Sequence, residues 1–321
     1  GDFTHPVWFE EIKKLEDRGK GVYYYDYKGD KFPFIITGEV SLIYTQGRGR
    51  RIHLVILVPS IEIAEKINFY LDTKGRRDYD GRPIFNISGE EFVRDMRKIS
   101  KDIGVIPAHC MTPWFGVFGS MSGFDSLKDC FGIESEKIYA VESGMSADPD
   151  MLRNFSFLNN KSIVSFSDSH SFWPFRLGRE ATIFKKTDSY KELIRQIREK
   201  DFIATIETDP AYGKYHFDGH RLCNFSCSPE KTKELKGICP VCSKSLTIGV
   251  DYRVGELKNQ EPDKNPVRKK FYKLLPLQEV ISLVVGKAMI SKKVWDIYNN
   301  LIEKFNTEFN ILLNVSKEEL I

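Results

Sequence analysis

The sequence predicts an α/β protein in three parts: a barrel-like domain over residues 1–208, a small metal-stapled module over 209–262 and a helical region over 263–321. Three observations predict it. From Lys31 to about Thr208, short β-rich apolar runs alternate with helical patterns. Four of the six cysteines fall between Cys223 and Cys242, in a stretch rich in Gly, His and polar residues and poor in periodicity. Helical spacing then returns in EVISLVVGKAMISKKVWDIYNNLIEKFNTEFNILLNV.

The strand candidates, in order, are FPFIITG, RIHLVILV, IGVIPA, KIYAVES, SIVSFS, ATIFKK and DFIATIE. Each is a short run of β-branched and aromatic residues bounded by polar or turn-forming ones. Between them IEIAEKINFYL, GEEFVRDMRKISKD, PDMLRNFSFL and DSYKELIRQIREKD carry apolar residues at three- and four-residue spacing, the mark of an amphipathic helix. Seven such strands suit a barrel. An open doubly wound sheet has the same pattern, since strand pairing order cannot be read from it. EPDKNP reads as a linker ahead of the helical region.

At 321 residues and 41% hydrophobic content the chain can bury one large core or two to three smaller ones. A net charge of +3 neither demands nor opposes a nucleic-acid partner. The richest apolar run, IHLVILV, is strand-sized, well short of the roughly 18 residues of a membrane span. No signal peptide is visible. Clustered rather than dispersed cysteines point to a metal knuckle in a reducing, cytoplasmic setting. The chain starts at Gly1 without a methionine and is expected to be a fragment.

Four of the six histidines sit at the edges of strand patterns: His5 in GDFTHP, His53 in RIHLVIL, His109 in IPAHCMTPWFG and His170 in SDSHS. In a βα barrel the loops after the strands meet on one face, so Glu39, His109, Asp168 and His170 are positioned to converge, with His53 joining from inside its strand. Imidazole and carboxylate donors suit Zn, Mn or Fe, and Glu39 or Asp168 could bridge two ions. Glu142 in VESG occupies a similar strand end as a supporting residue.

Cys223 and Cys227 are separated by three residues and Cys239 and Cys242 by two, with eleven between the pairs. Two such knuckles present four thiolates to one structural zinc. His216 or His220 is an alternative donor, although DGHR reads better as structural hydrogen bonding or a DNA contact. Cys110 and Cys130 lie outside and read as small apolar packing residues. Short basic clusters, GRGRR, KGRR, RLGR with Arg176 and Arg179, and VRKKFYK with Lys269 and Lys270, offer phosphate contacts against a background of ordinary solvated charge. Trp114, Phe115 and Phe118 are candidates for packing a base or sugar, against the simpler reading as core.

The series GDFTHP, ITGEVS, IHLVIL, IPAHCMTPWFG, FGSMSGFDS, VESGMS and SFSDSHS resembles the polymerase and histidinol phosphatase (PHP) superfamily of metal-dependent phosphoesterases. With the DGHR and CPVC module it resembles the endonuclease Q family of DNA repair nucleases. The resemblance implies a distorted (β/α)7 PHP-type barrel, metal ligation by His5, Glu39, His53, His109, Asp168 and His170, and Asp2 as an acidic residue that supports a ligand or handles a proton. Asp2, Glu39, Asp168 and His170 are then the catalytic set, with Zn, Mn or Mg in the barrel site. Cleavage of DNA 5′ of uracil, hypoxanthine, xanthine or an abasic site is implied, with the lesion extruded into a pocket, and a sliding clamp is a further candidate partner. The family also opens with an HxH strand, and none precedes GDFTHP here, so the site is expected to be short of two ligands. A phosphatase of a small phosphomonoester such as histidinol phosphate, and a non-catalytic DNA-binding protein, are the rival readings.

Overall fold

Segments rich in β-branched and aliphatic residues make Ile36–Gln46 and Arg48–Val58 the longest strands among the described residues. The structure, a computed structural model, describes residues 1–79, 81–258 and 268–320. The two long strands form one antiparallel hairpin, in register from Ile36 opposite Val58 to Gln46 opposite Arg48. Gly47 turns it with φ +69°, a left-handed backbone that favours glycine. Ile84–Phe85 and Gly104–Pro107 flank the hairpin to complete a four-stranded sheet.

Helices Ile61–Asp72 and Gly89–Ile99 cover this sheet, each started by a serine whose hydroxyl accepts a backbone N–H of the first turn. Their apolar faces, Ala64, Ile67 and Leu71 in one and Phe92, Val93 and Met96 in the other, join Val40, Leu42, Ile52, Leu54 and Ile56 in the main core. Ala140–Glu142 pairs in parallel with Ser162–Val164. Ala181–Ile183 pairs antiparallel with Ala204–Glu207, which in turn pairs in parallel with Lys270–Lys273. Hydrogen bonds join these sheets: the Cys110 N–H donates to the Glu142 carbonyl at 2.9 Å, and the Ser165 hydroxyl donates to the Ile206 carbonyl at 3.0 Å.

All seven expected strands are therefore present, but among the described residues their pairing traces no closed barrel. They lie in separate four-, two- and three-stranded sheets. The first departure from a βα repeat is physical and local. Gly47 lets the chain double back directly, so the first two strands need no helix between them. The result is a mixed α/β fold in which strand ends converge without full closure.

Asp218–His220 and Phe225–Cys227 form a small hairpin within the cysteine-rich stretch, followed by helix Pro229–Glu234. Helix Val250–Leu257 then sends Val250, Val254 and Leu257 into the main core. The EPDKNP segment lies outside the described residues. Beyond it, Lys270–Lys273 joins the sheet of Ala204–Glu207, so residues within the expected helical region first extend a sheet of the expected barrel domain. Four helices follow, Leu277–Val285, Lys292–Phe305, Glu308–Leu313 and Lys317–Leu320, with a cluster of their own around Leu277, Ile281, Val294, Tyr298 and Ile311. Among the described residues no helix is long and apolar enough to cross a membrane.

Candidate metal centre

Alternation along the hairpin places Glu39 and His53 on adjoining strands, and the chain leaving Gly104–Pro107 brings His109 beside them. His53 Nδ1 lies 3.0 Å from Glu39 Oε1 and 3.0 Å from His109 Nε2, and the third edge, His109 Nε2 to Glu39 Oε1, is 3.5 Å. Metal–ligand bonds of about 2.0–2.2 Å separate neighbouring donors by roughly 3.3–3.6 Å in a tetrahedral site, and by about 2.8–3.1 Å in an octahedral one. The observed triangle spans both ranges, so these three atoms fit one face of a divalent-ion site.

Several contacts hold the triangle. Phe115 stacks on the His53 ring at 4.3 Å, and its carbonyl accepts the His53 backbone N–H at 2.9 Å. The buried carboxylate of Glu142 accepts the His109 backbone N–H at 2.7 Å, which supports a residue held at φ +31°. A Cβ on Gly144 would stand 2.5 Å from the His109 Cα, so only glycine permits that approach. Arg82 donates to Glu39 Oε1 at 3.4 Å.

The electrostatics divide the ligands. Burial alone would raise the Glu39 carboxyl, but hydrogen bonds and charge from His109 and His53 outweigh it and hold it well below the usual carboxylate range. Burial pulls His53 down to about 4. At His109 burial is outweighed by the bond to Glu39 and by the charges of Glu39, Glu142 and Asp168, which together raise it. Burial, then the charge of Glu39, raises Asp168 as well. Burial also pushes Glu142 and Glu207 up to about 8 and Glu180 to about 7, a trio of carboxyls that the sequence reading passed over apart from Glu142. Glu180 accepts the Met145 and Thr208 N–H groups, and Glu207 accepts the Ser143 hydroxyl at 2.8 Å, so both brace the strand ends below the cleft.

The triangle opens into a cleft of about 990 Å³ lined by His53, His109, Asp168, His170, Trp114 and Phe115, with Arg82, Arg176, Arg179 and Lys214 as its cations. Asp168, at φ +41°, stands at the rim, where the His170 ring nitrogen is 3.0 Å from its carbonyl and the His170 side chain is 72% exposed. Neither completes the three-atom cluster. His5 and Asp2 also stand outside it. His5 caps helix Pro6–Ile12 by accepting the Trp8 N–H at 3.4 Å, and the Asp2 carboxylate faces Gly81.

Trp114 is 40% exposed at the cleft, whereas Phe115 is occupied in stacking on His53 and Phe118 is fully buried against Phe155 and Phe157. Arg176 and Arg179 of RLGR line the cleft. Lys269 and Lys270 do not line it. The KGRR cluster is taken up by ion pairs with Glu91, Asp78 and Asp72. Arg82, Lys214 and the aromatic wall of Tyr212 and Tyr215 carried no recognisable motif in sequence.

The second donor cluster differs from the four-cysteine set expected. His220, Cys223, Cys239 and Cys242 bring their ligand atoms within 4.8 Å of one another. His220 Nδ1 is 3.0 Å from Cys223 Sγ and 3.4 Å from Cys242 Sγ, close to the roughly 3.5 Å that neighbouring N and S donors keep around zinc. Cys227 is not part of the group and its Sγ contacts Thr232 Oγ1 at 3.3 Å. The hairpin register explains the exchange. Asn224 in a left-handed turn returns Cys223 to His220, while Cys227 pairs with Asp218, two residues or about 7 Å down the ladder.

Fold and site together define an α/β protein with a cleft beside a carboxylate–imidazole triangle that could hold a metal ion. The chain is endonuclease Q-like. It superposes over its whole length on the lesion-specific endonuclease PfuEndoQ of Pyrococcus furiosus, with TM-score 0.85 and 29% identity over 77% of that chain. It superposes equally on endonuclease Q in complex with a 27-mer duplex bearing an abasic lesion at the active site, with TM-score 0.87, 29% identity and 78% of that chain. Its structural homologues are thus DNA-cleaving enzymes. In sequence it is 33% identical over 252 residues to the uncharacterized protein MJ0043 of Methanocaldococcus jannaschii, covering 77% of this chain and 31% of that protein. It is 26% identical over 296 residues to the uncharacterized protein YqxK of Bacillus subtilis, covering 89% and 69% respectively. Residues 276–321 match the MJ0043 C-terminal domain family. The matched region therefore spans about a third of MJ0043.

Two outcomes follow from the two donor sets. His220→Ala should cost the module its zinc in metal counting after mild chelation, whereas Cys227→Ser should retain it; the reverse order would restore the four-cysteine assignment. At the triangle, Glu39 is already ionised and His53 already neutral above about pH 4, so an incoming cation must displace a proton chiefly from His109. Mn²⁺ affinity, which the thiolate site disfavours, should rise about ten-fold per pH unit below the raised His109 pKa and then level off. A flat titration profile between mildly acid and neutral pH would contradict that proton assignment.

Proposed function

We propose that this chain carries a metal-dependent DNA endonuclease site that hydrolyses the phosphodiester 5′ of a deaminated base (uracil, hypoxanthine or xanthine) or of an abasic site. The observation that carries the reading is the donor triangle of Glu39, His53 and His109, whose two histidines line a cation-bearing cleft large enough for an extruded nucleotide. Likeness to lesion-specific endonucleases over the full chain supports the substrate class.

The residues divide the work. Glu39, His53 and His109 would hold the ion, with Asp168 and His170 lining the same cleft at its rim. A bound divalent ion supplies positive charge against the phosphoryl oxygens and acidity to water. Arg82, Arg176, Arg179 and Lys214 bind and orient the DNA phosphates along the cleft. Trp114 offers a partly exposed ring on which a base or sugar packs. Asp168 stands at the rim of the cleft, where its carboxylate faces the DNA phosphates' path beside His170. Residues 1–208 supply the chemistry in this reading, and 209–262 and 263–321 grip the duplex, the first stapled by zinc.

The experiment is incubation with duplexes carrying uracil, hypoxanthine, xanthine or an abasic site, with Mg²⁺, Mn²⁺ or Zn²⁺, and mapping of the cut. The expected result is a single incision 5′ of the lesion that chelation abolishes. Glu39→Gln and His170→Ala should each lower the cutting rate by at least about 100-fold while leaving duplex binding within a few-fold. Undiminished cutting by Glu39→Gln, or hydrolysis of p-nitrophenyl phosphate without any cutting of DNA, would overturn the proposal.

A further inference from the structure

Glu180 immediately precedes the strand Ala181–Ile183, and Glu207 ends its antiparallel partner Ala204–Glu207. Ala181 lies opposite Ile206, so the next position of the same register sets the two glutamates opposite each other. Both are buried, at 1% and 0% exposure. Among the described residues no cation forms an ion pair with either. Lys273 lies opposite Glu207 on the parallel strand, but its ammonium goes to Asp148 at 2.9 Å and Asp209 at 3.2 Å. Arg179 donates to the Ser167 carbonyl at 3.2 Å, and its charge offsets only part of the cost of burying Glu180. The other ionisable neighbours are Cys110, whose buried thiol feels the Glu207 charge, and Glu142, engaged on the His109 backbone.

The two carboxyls are bonded differently. Glu180 accepts the Met145 N–H at 2.8 and 3.0 Å and the Thr208 N–H at 3.1 Å, with the Ser165 hydroxyl at 3.4 Å. Such donors favour the ionised form. Glu207 Oε2 accepts the Ser143 hydroxyl at 2.8 Å, whereas its Oε1 is buried without a hydrogen-bond partner among the described residues. Two buried carboxylates facing across one strand pair repel, so a proton is retained, and the poorer-solvated Glu207 is the better holder. Burial, then the Glu180 charge, pushes Glu207 up to about 8, while burial pushes Glu180 to about 7. Ser143 and Met145, the residues so held, flank Gly144, which packs directly on the His109 Cα, and Met145 itself is held at φ +46°.

We propose that Glu180 and Glu207 act as a two-carboxyl clamp, with the proton kept on Glu207, that positions the Ser143–Met145 turn against His109 and loosens when that proton is lost in alkaline solution. Both are positioning residues, since neither belongs to the donor triangle. The inference rests on the reading of that triangle as an ion site.

The sign of the pH effect follows from burial. Above the ordinary carboxyl value of 4.5 the unfolded chain gives up the proton and the folded chain keeps it, so stability falls as pH rises until Glu207 ionises near 8. The test melts the whole chain between about pH 5 and 9 and titrates it with Mn²⁺ by calorimetry at about pH 7.5 and 9. Glu207→Gln, which fixes an uncharged hydrogen-bonding group, should gain about 3 °C or more on the parent between pH 6 and 9. Parental Mn²⁺ affinity should fall at least three-fold from pH 7.5 to 9, and that of Glu207→Gln should hold. Ser143→Ala, which leaves both carboxyls titrating, should keep the parental melting slope yet bind Mn²⁺ several-fold more weakly at pH 7.5. A melting difference between Glu207→Gln and the parent that is equal at every pH overturns the proton assignment, and Mn²⁺ affinity unmoved by Ser143→Ala overturns the positioning role. Absence of Mn²⁺ binding by the parent at every pH overturns the ion site itself, and the positioning role with it.

Discussion

A half-buried carboxylate flanked by two imidazoles is the constraint on which the rest of the cleft depends. Glu39 and His53 come from neighbouring strands and His109 from the turn after a third, and taking their polar atoms out of water is costly unless they satisfy one another or an ion. Without an ion, Glu39 answers the cost by accepting from both histidines, with Arg82 alongside. The same short distances that settle these charges against each other present three donor atoms to a cation. Local stability and ion binding therefore use one geometry.

Support for that geometry extends outward in layers. Phe115 covers the His53 ring, Glu142 holds the His109 backbone, and the bare Cα of Gly144 lets the chain pass. His109, Phe115, Met145 and Asp168 all carry positive φ, and all line the cleft. Backbone of this kind is unfavourable for non-glycine residues and persists where surrounding contacts over-determine it, which is common at functional sites. Buried Glu180 and Glu207 tie the neighbouring strand ends together through Met145, Thr208 and Ser143. The strain and the buried carboxyls thus lie around one cleft.

Much of this was legible in sequence, for reasons that differ by residue. The strands and the amphipathic helices announce themselves by period and β-branching, and all seven strands occur where expected. Their pairing does not, because one glycine at position 47 replaces a βα crossover with a hairpin, and the barrel expected from the alternation is not traced by the described strands. His53 and His109 stand out because histidine is rare here and theirs fall within or just after strand runs; Glu39 follows from position. His5 shares that signal but is turned to helix capping, a choice that depends on the local turn rather than on residue type. The cysteine pairs pointed to a zinc module, while the exchange of Cys227 for His220 depends on a ladder register that spacing alone does not encode. Charge clusters were the least informative: RLGR faces the cleft, KGRR is consumed by ion pairs, and Lys269 does not line the cleft.

Whether the triangle binds an ion can be seen directly. Crystals of the protein equilibrated with Mn²⁺ and recorded at a wavelength where manganese scatters anomalously should show a peak within about 2.0–2.3 Å of Glu39 Oε1, His53 Nδ1 and His109 Nε2 together. A fully equilibrated crystal with no anomalous density among those three atoms, or with manganese held elsewhere in the cleft, would contradict the site on which the proposed chemistry rests.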